Sequence, residues 1–141
     1  MKVAKCILIY IAFSNLKITF STGKSVVSIV VAMLVDKGLL NYDELVSSYW
    51  PEFSQSGKAT ITLADVLRHE SGLSRFGNHM YQNEDILREN IKNNAVGEVI
   101  ERCKPEYPGN IDGTSTKRAY HAATRGFILN EIVRRADPGN R

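Results

Sequence analysis

Ser21 and Lys24 stand three residues apart in the stretch Phe20-Ser21-Thr22-Gly23-Lys24-Ser25, directly before a long apolar run. On a helix this spacing puts a hydroxyl and an amine on one face, close enough for the amine to take the hydroxyl's proton. An apolar helix beneath the pair offers the desolvation that disfavours a charged amine, and the helix N-terminus favours negative charge developing on the serine. That is the chemistry of an activated nucleophile. Ser-x-x-Lys alone arises often by chance, and an N-cap serine followed by an exposed lysine describes the same four residues. Gly23-Lys24-Ser25 also has the placement of a phosphate-binding loop, but that loop needs a glycine five positions before Gly23. Ile18 occupies that position and no glycine precedes Gly23, so the backbone amides lack the freedom to wrap phosphates. His79 and His121 have no partner at metal-ligand spacing, which argues against zinc chemistry. Glu70, Glu84 and Asp85 could suggest a carboxylate pair, and helix-end solvation explains them better.

The elements that must position these groups follow from periodicity and punctuation. Nine of the ten residues 26–35 are apolar, Ser28 being the exception, so a helix over residues 22–37 is expected to be buried on every side. Gly38 ends it as a C′ residue. Residues 41–50 read as a short helix stopped by Pro51, and 55–59 as a polar turn. Thr62 with Asp65 three residues later gives a capping-box start to a helix reaching residue 69 or 70, with Gly72 beyond it. Leu87, Ile91, Ala95 and Val99 recur every four residues and predict one helix over 84–103. Residues 105–117, rich in Pro, Gly, Ser and Thr, are a loop, and helical spacing resumes over 119–136.

The first 19 residues admit two readings. Lys2 and Lys5 before the apolar run 6–13, with Ala12 and Ser14 at a cleavage-like spacing, resemble a secretory signal. Alternatively the β-rich runs flanking Ser14-Asn15 form a hairpin. If residues 1–14 act as a signal the protein is secreted, and otherwise it is intracellular. The domain division follows: 1–19 as this apolar segment and 20–141 as one globular unit.

Composition narrows the class. At 141 residues, 43% hydrophobic and 23% charged, the chain fits one globular domain and excludes disorder or collagen-like repeats. Its apolar runs fall short of the roughly 20 residues of a membrane span. A net charge of +3 is too weak an excess to imply nucleic acid without a clustered basic face. Cys6 and Cys103 make neither a disulfide framework nor a zinc spacing, and are expected to be free thiols. No cofactor is implied.

Four segments in order carry a resemblance: FSTGKS at 20–25, LVDKGLLNYDELVSSYWPEF, ITLADVLRHESGL, and Tyr120-His121-Ala122 at the start of the last helix. Together these resemble the serine β-lactamase-like family, which includes class C β-lactamases, DD-peptidases and related carboxylesterases. The resemblance runs from Phe20 to about Pro138. It implies that Ser21 is the acylated nucleophile, Lys24 its paired base, and Tyr120 the tyrosine sharing proton transfer with that lysine. Acyl transfer needs these three functions: a nucleophile, an acceptor for its proton, and a donor to the leaving atom. His69 to Leu73 match a family segment His-Thr-Ser-Gly-Leu, with Glu70 in place of threonine. There Gly72 is expected to make a tight turn and His69 to be a hydrogen-bonded packing residue.

The departures from the family pattern carry expectations too. Ala122 stands where class C β-lactamases have asparagine, a contact to the substrate amide, which favours ester over lactam hydrolysis. The family's third motif, Lys-Thr-Gly or His-x-Gly on a strand that supplies an oxyanion-hole amide, has no match after Tyr120. The resulting fold class is α+β: a predominantly helical fragment of the β-lactamase/DD-peptidase-like fold with most of the antiparallel sheet missing. The expected activity is that of a serine hydrolase impaired by truncation, acting on a small-molecule ester or amide. The alternative is a noncatalytic fragment or interaction module, self-associating through exposed apolar surface.

Overall fold

The computed structural model describes residues 20–77, 82, 84, 87–107 and 117–137. Both readings of residues 1–19, the central part of the 105–117 loop, Cys6, His79 and Asp85 lie outside the described residues. Six α-helices order the rest: α1 (Gly23–Asp36), α2 (Val46–Tyr49), α3 (Leu63–Leu67), α4 (Arg88–Lys92), α5 (Ala95–Arg102) and α6 (Thr124–Ala136). Short 3-10 stretches, Phe20–Thr22 and Pro51–Gly57, lie before α1 and after α2. Among the described residues no strand forms, and β-pairing is limited to an isolated antiparallel bridge between Leu45 and Thr62.

α1 ends in a Schellman motif. Gly38, at φ +69°, donates to the Val35 carbonyl, and Leu39 to that of Leu34, which satisfies two orphan carbonyls with glycine in the left-handed position. The expectation that this helix is covered on every side is corrected. Val31 is buried and Val27, Leu34 and Val35 pack partly against the core, whereas Ile29 and Met33 are 60% and 43% exposed. An all-apolar sequence cannot show which stripe finds a partner, and here one stripe does.

Residues 41–50 are mostly not helical because their backbone is engaged elsewhere. Asn41 Oδ1 accepts from the Asp43 N–H at 3.1 Å. Val46 N–H donates to Ile61 O, and the Leu63 and Ala64 N–H groups donate to Glu44 and Tyr42 carbonyls. One helical turn remains before Pro51 opens the 3-10 stretch. Lys58, in the expected polar turn, is fully buried, and its ammonium donates to the carbonyls of Gln55 (2.7 Å), Glu101 (2.9 Å) and Cys103 (2.5 Å). That single cation ties the 3-10 stretch to the C-terminal end of α5.

The capping box at Thr62 is complete. Asp65 N–H donates to Thr62 Oγ1 at 3.1 Å, and Thr62 N–H to Asp65 Oδ2 at 2.9 Å. α3 stops at Leu67, earlier than the sequence suggests, since His69 adopts φ +65°. The single helix expected over 84–103 is two. Asn94 takes φ +56° between α4 and α5, a conformation asparagine tolerates better than most residues. A Cβ on Gly97 would overlap the Asn94 side chain, so that glycine makes room for the break. The buried positions of α5 are accordingly Val96 and Ile100, while Leu87 is exposed.

α6 is the central post. It packs against α1, α2, α3 and α5, burying Ile128, Leu129 and Ile132 in a core that includes Trp50, Phe53, Ile61, Leu63 and Val66. It begins at Thr124 rather than at residue 119, because the Ala119 and His121 N–H groups bond to His69 instead of entering a helical ladder. No helix among the described residues is long and apolar enough to cross a membrane.

Candidate active site

The start of α1 supplies two of the expected groups. Ser21 lies in the 3-10 turn Phe20–Thr22 and Lys24 in the first turn of the helix. Lys24 Nζ is 3.4 Å from Ser21 Oγ and donates to the Ala122 carbonyl at 2.6 Å. The segment before α6 supplies the third. The Tyr120 hydroxyl hydrogen-bonds Ser21 Oγ across 99 residues of sequence, and its ring lies beneath Lys24 Nζ, 4.9 Å from the centroid. Ser21, Lys24 and Tyr120 therefore meet. Tyr120 is 57% exposed, so the cluster opens to solvent and to anything that binds there. The hydrogen bond to Ser21, and then the Lys24 amine, draw the Tyr120 phenol below its usual value; both favour its ionised form.

Two residues behind the cluster carry no signal that sequence reasoning used. The Arg125 side chain is buried, donating to Ser28 Oγ at 2.7 Å and to the Lys24 carbonyl at 3.5 Å. Its Nε has no hydrogen-bond partner among the described residues. Burial pulls this guanidinium down from its usual value, while the Tyr120 phenolate would favour its charge. Ser28 in turn donates to the Lys24 carbonyl at 2.9 Å. Positions 21, 24 and 28 share one helical face, so the lone polar residue in the apolar run was the available sign.

A second layer holds Tyr120. Ala119 N–H donates to the His69 carbonyl at 3.2 Å, and His121 N–H to His69 Nδ1 at 3.0 Å. The His121 ring is buried, its Nδ1 donating to Ala119 O at 2.5 Å and its Nε2 accepting from the Leu73 N–H at 3.2 Å, with Ser71 Oγ 2.9 Å away. These bonds fix the neutral tautomer with the proton on Nδ1. His69 is thus the hydrogen-bonded residue expected, gripping the neighbours of the site.

Glu70 departs from expectation. It is a buried carboxylate, taking Arg68 Nε and Arg118 Nε at 2.7 Å each, and is not solvated at a helix end. Burial acts to raise its pKa, but the two arginine hydrogen bonds prevail and hold it below the usual carboxylate value. The acidic side chain at this position pins Arg118, two residues before Tyr120. Gly72 makes the expected tight turn at φ +71°, and a Cβ there would collide with the Tyr107 carbonyl. Glu84 is exposed and far in sequence from this cluster. No group of three or more His, Cys, Asp or Glu side chains that could hold a metal occurs among the described residues. Cys103 is a free thiol, half-buried, and burial raises its pKa.

A family model described as Beta-lactamase matches residues 18–141. The chain belongs to the beta-lactamase family. Among curated proteins, the Esterase/beta-lactamase LipL of Mycobacterium tuberculosis is 38% identical over 115 residues, covering 82% of this chain and 24% of that relative. A penicillin-binding protein homolog from Caulobacter crescentus aligns with TM-score 0.71 and 34% identity, over 84% of this chain and 29% of that one. A family VIII carboxylesterase aligns with TM-score 0.73 and 28% identity, over 87% and 31% respectively. The chain thus spans about a quarter to a third of the length of these beta-lactamase-family relatives. Its described residues form a predominantly helical part of the beta-lactamase fold.

Proposed function

We propose that this chain carries the acylation machinery of a serine hydrolase of the carboxylesterase type, with Ser21 as the nucleophile. The observation that carries the reading is the meeting of Ser21 Oγ with the Tyr120 hydroxyl and the Lys24 amine, groups drawn from opposite ends of the described chain. In the first step Ser21 Oγ adds to the carbonyl carbon of a small ester. Its proton passes to the Lys24 and Tyr120 pair, whose phenol is already biased toward ionisation. The carbonyl oxygen becomes an oxyanion near the positive end of α1. Collapse breaks the bond to the alcohol oxygen, which leaves with a proton from the same pair. Water then adds to the acyl carbon and gives a proton to the pair; collapse breaks the bond to Ser21 Oγ, which takes that proton back, and releases the acid with free Ser21.

Esters are favoured over lactams as substrates. Ala122 offers a methyl group where an amide donor would contact a lactam, and its carbonyl is already taken by Lys24. Stabilisation of the oxyanion typically contributes about 3 to 4 kcal/mol per donor, so acylation can outlive efficient turnover. A second reading, a noncatalytic interaction module, is favoured by the exposed Ile29 and Met33 on α1. Short-chain aryl esters separate the two. A burst of phenol release with an acyl adduct on the intact chain is expected, abolished in Ser21→Ala and strongly reduced in Lys24→Ala and Tyr120→Phe. Release at one rate in wild type and Ser21→Ala, with no adduct, would leave the interaction module as the account.

A further inference from the structure

We infer that His69 is a positioning residue for Tyr120: through its carbonyl and its accepting Nδ1 it fixes the backbone on both sides of the tyrosine, and so sets where the phenol meets Ser21. The inference rests on the proposed acyl-transfer reading for its consequence in catalysis, though not for its geometry.

Tyr120 is poorly held by its own element. It precedes α6 by four residues, its side chain is largely exposed, and no helical ladder orders residues 119–121. The order comes from across the fold. Ala119 N–H and His121 N–H, the two amides flanking Tyr120, both end on His69, at its carbonyl and its Nδ1. The imidazole also packs against the Tyr120 ring at 5.1 Å and the His121 ring at 5.3 Å. His69 reaches both amides from a left-handed backbone, φ +65°, a conformation that histidine, asparagine and aspartate adopt more readily than most residues. Beside it, Glu70 holds Arg118, so the 118–121 segment is bound at successive residues to one turn.

The hold demands a neutral ring. A nitrogen accepting a backbone N–H carries no proton, so the proton sits on Nε2, and an imidazolium would have no acceptor to offer. The groups facing the ring are Tyr120 and His121 from the 119–121 segment, Arg125 from α6 and Lys24 from α1, with the Glu70 carboxylate next in sequence already taken by Arg68 and Arg118. Burial first, and then His121, Arg125 and Lys24, push the His69 imidazole down to about 4. Because its Nδ1 lone pair is spent on the His121 amide, His69 does not compete with Lys24 for the serine proton.

Two substitutions test this in the 141-residue chain. His69→Gly keeps the left-handed backbone and the carbonyl while deleting the ring. His69→Asn keeps the backbone preference and offers Oδ1 as an acceptor in place of Nδ1. Two quantities are read: the rate at which a fluorophosphonate labels Ser21, and the titration of Tyr120 by its ring carbon resonance, identified by comparison with Tyr120→Phe. In His69→Gly we expect labelling to slow by roughly tenfold or more, since displacement of a reacting group by about 1 Å can cost 10²-fold. The Tyr120 titration should move back up toward 10.0, the ordinary phenol value from which its contacts lower it. His69→Asn should restore both, labelling to within about threefold of wild type. An unmoved Tyr120 titration in His69→Gly, or a His69→Asn chain as impaired as His69→Gly, overturns the inference. Failure of the wild type to label at Ser21 would defeat the acyl-transfer reading, and the Tyr120 titration would still decide the positioning role.

Discussion

Replacing Lys58 by methionine should destabilise the fold by about 2 to 4 kcal/mol without touching the Ser21 cluster. The side chain is fully buried, and its ammonium is shared among three main-chain carbonyls that belong to two separate elements, the 3-10 stretch and the end of α5. Methionine leaves the three buried carbonyls without their donor, at about 1 to 3 kcal/mol for each orphaned acceptor. Against this, methionine returns the cost of burying a charge, of the order of several kcal/mol, a cost also evident in the lowering of the Lys58 pKa by burial. Methionine matches the stem in length, so little cavity forms. The remainder is the stated loss, equivalent to a fall in Tm of about 10 °C for a domain of this size. Urea unfolding followed by circular dichroism measures it. The same burial gives a pH signature. Since the folded pKa lies below the unfolded one, the unfolded chain holds the proton longer, and the Lys58 contribution to stability rises with pH from its lowered folded value to 10.5. The wild-type minus variant difference should therefore grow over that interval. A loss below about 1 kcal/mol with no such growth would show that the three carbonyls do not depend on Lys58.

Gly72→Ala places a Cβ against the Tyr107 carbonyl at φ +71°, so thermal unfolding should fall by the equivalent of 2 kcal/mol or more; a variant as stable as wild type would mean that the turn relaxes freely. His69 and His121 are both held neutral with lowered pKa values, His69 at about 4. A depressed folded pKa means stability is present above 6.5, the ordinary histidine value, and is lost as pH falls toward 4. Urea midpoints should drop over that interval and drop less in His69→Asn. Ile29→Lys with Met33→Glu should weaken self-association in sedimentation velocity, because these are the large apolar side chains that α1 leaves exposed; a wild-type chain that stays monomeric at high concentration contradicts this.

Local punctuation made much of the fold legible. Gly38, Pro51 and the Thr62/Asp65 box each mark an element boundary through a backbone requirement that can be read within a few residues. The pairing of Ser21 with Lys24 was legible for the same reason, being a property of one helical turn. Tyr120 was reached only through the order of motifs, since its meeting with Ser21 spans 99 residues. What stayed hidden depends on tertiary partners. The four-residue recurrence over 84–103 could not reveal that Asn94 turns left-handed and needs Gly97 beside it. Residues 119–123 have helical composition, yet their amides are claimed by His69. The burial of Lys58, Glu70 and Arg125 had no local sign because the partners that bury them lie far along the chain: the Glu101 and Cys103 carbonyls, Arg118, and Ser28 with the Lys24 carbonyl.

The most direct measurement of the central claim is covalent capture by a fluorophosphonate, read by intact mass spectrometry on the folded chain. Capture forms one bond from Ser21 Oγ to phosphorus and expels fluoride, and it tolerates a weak oxyanion site better than repeated hydrolysis does. The account predicts one adduct per chain at pH 7, lost in Ser21→Ala, strongly slowed in Lys24→Ala, and slowed in Tyr120→Phe, where the ring remains and only the hydroxyl is gone. A folded wild-type chain that gains no adduct, or an adduct that persists in Ser21→Ala, would contradict it.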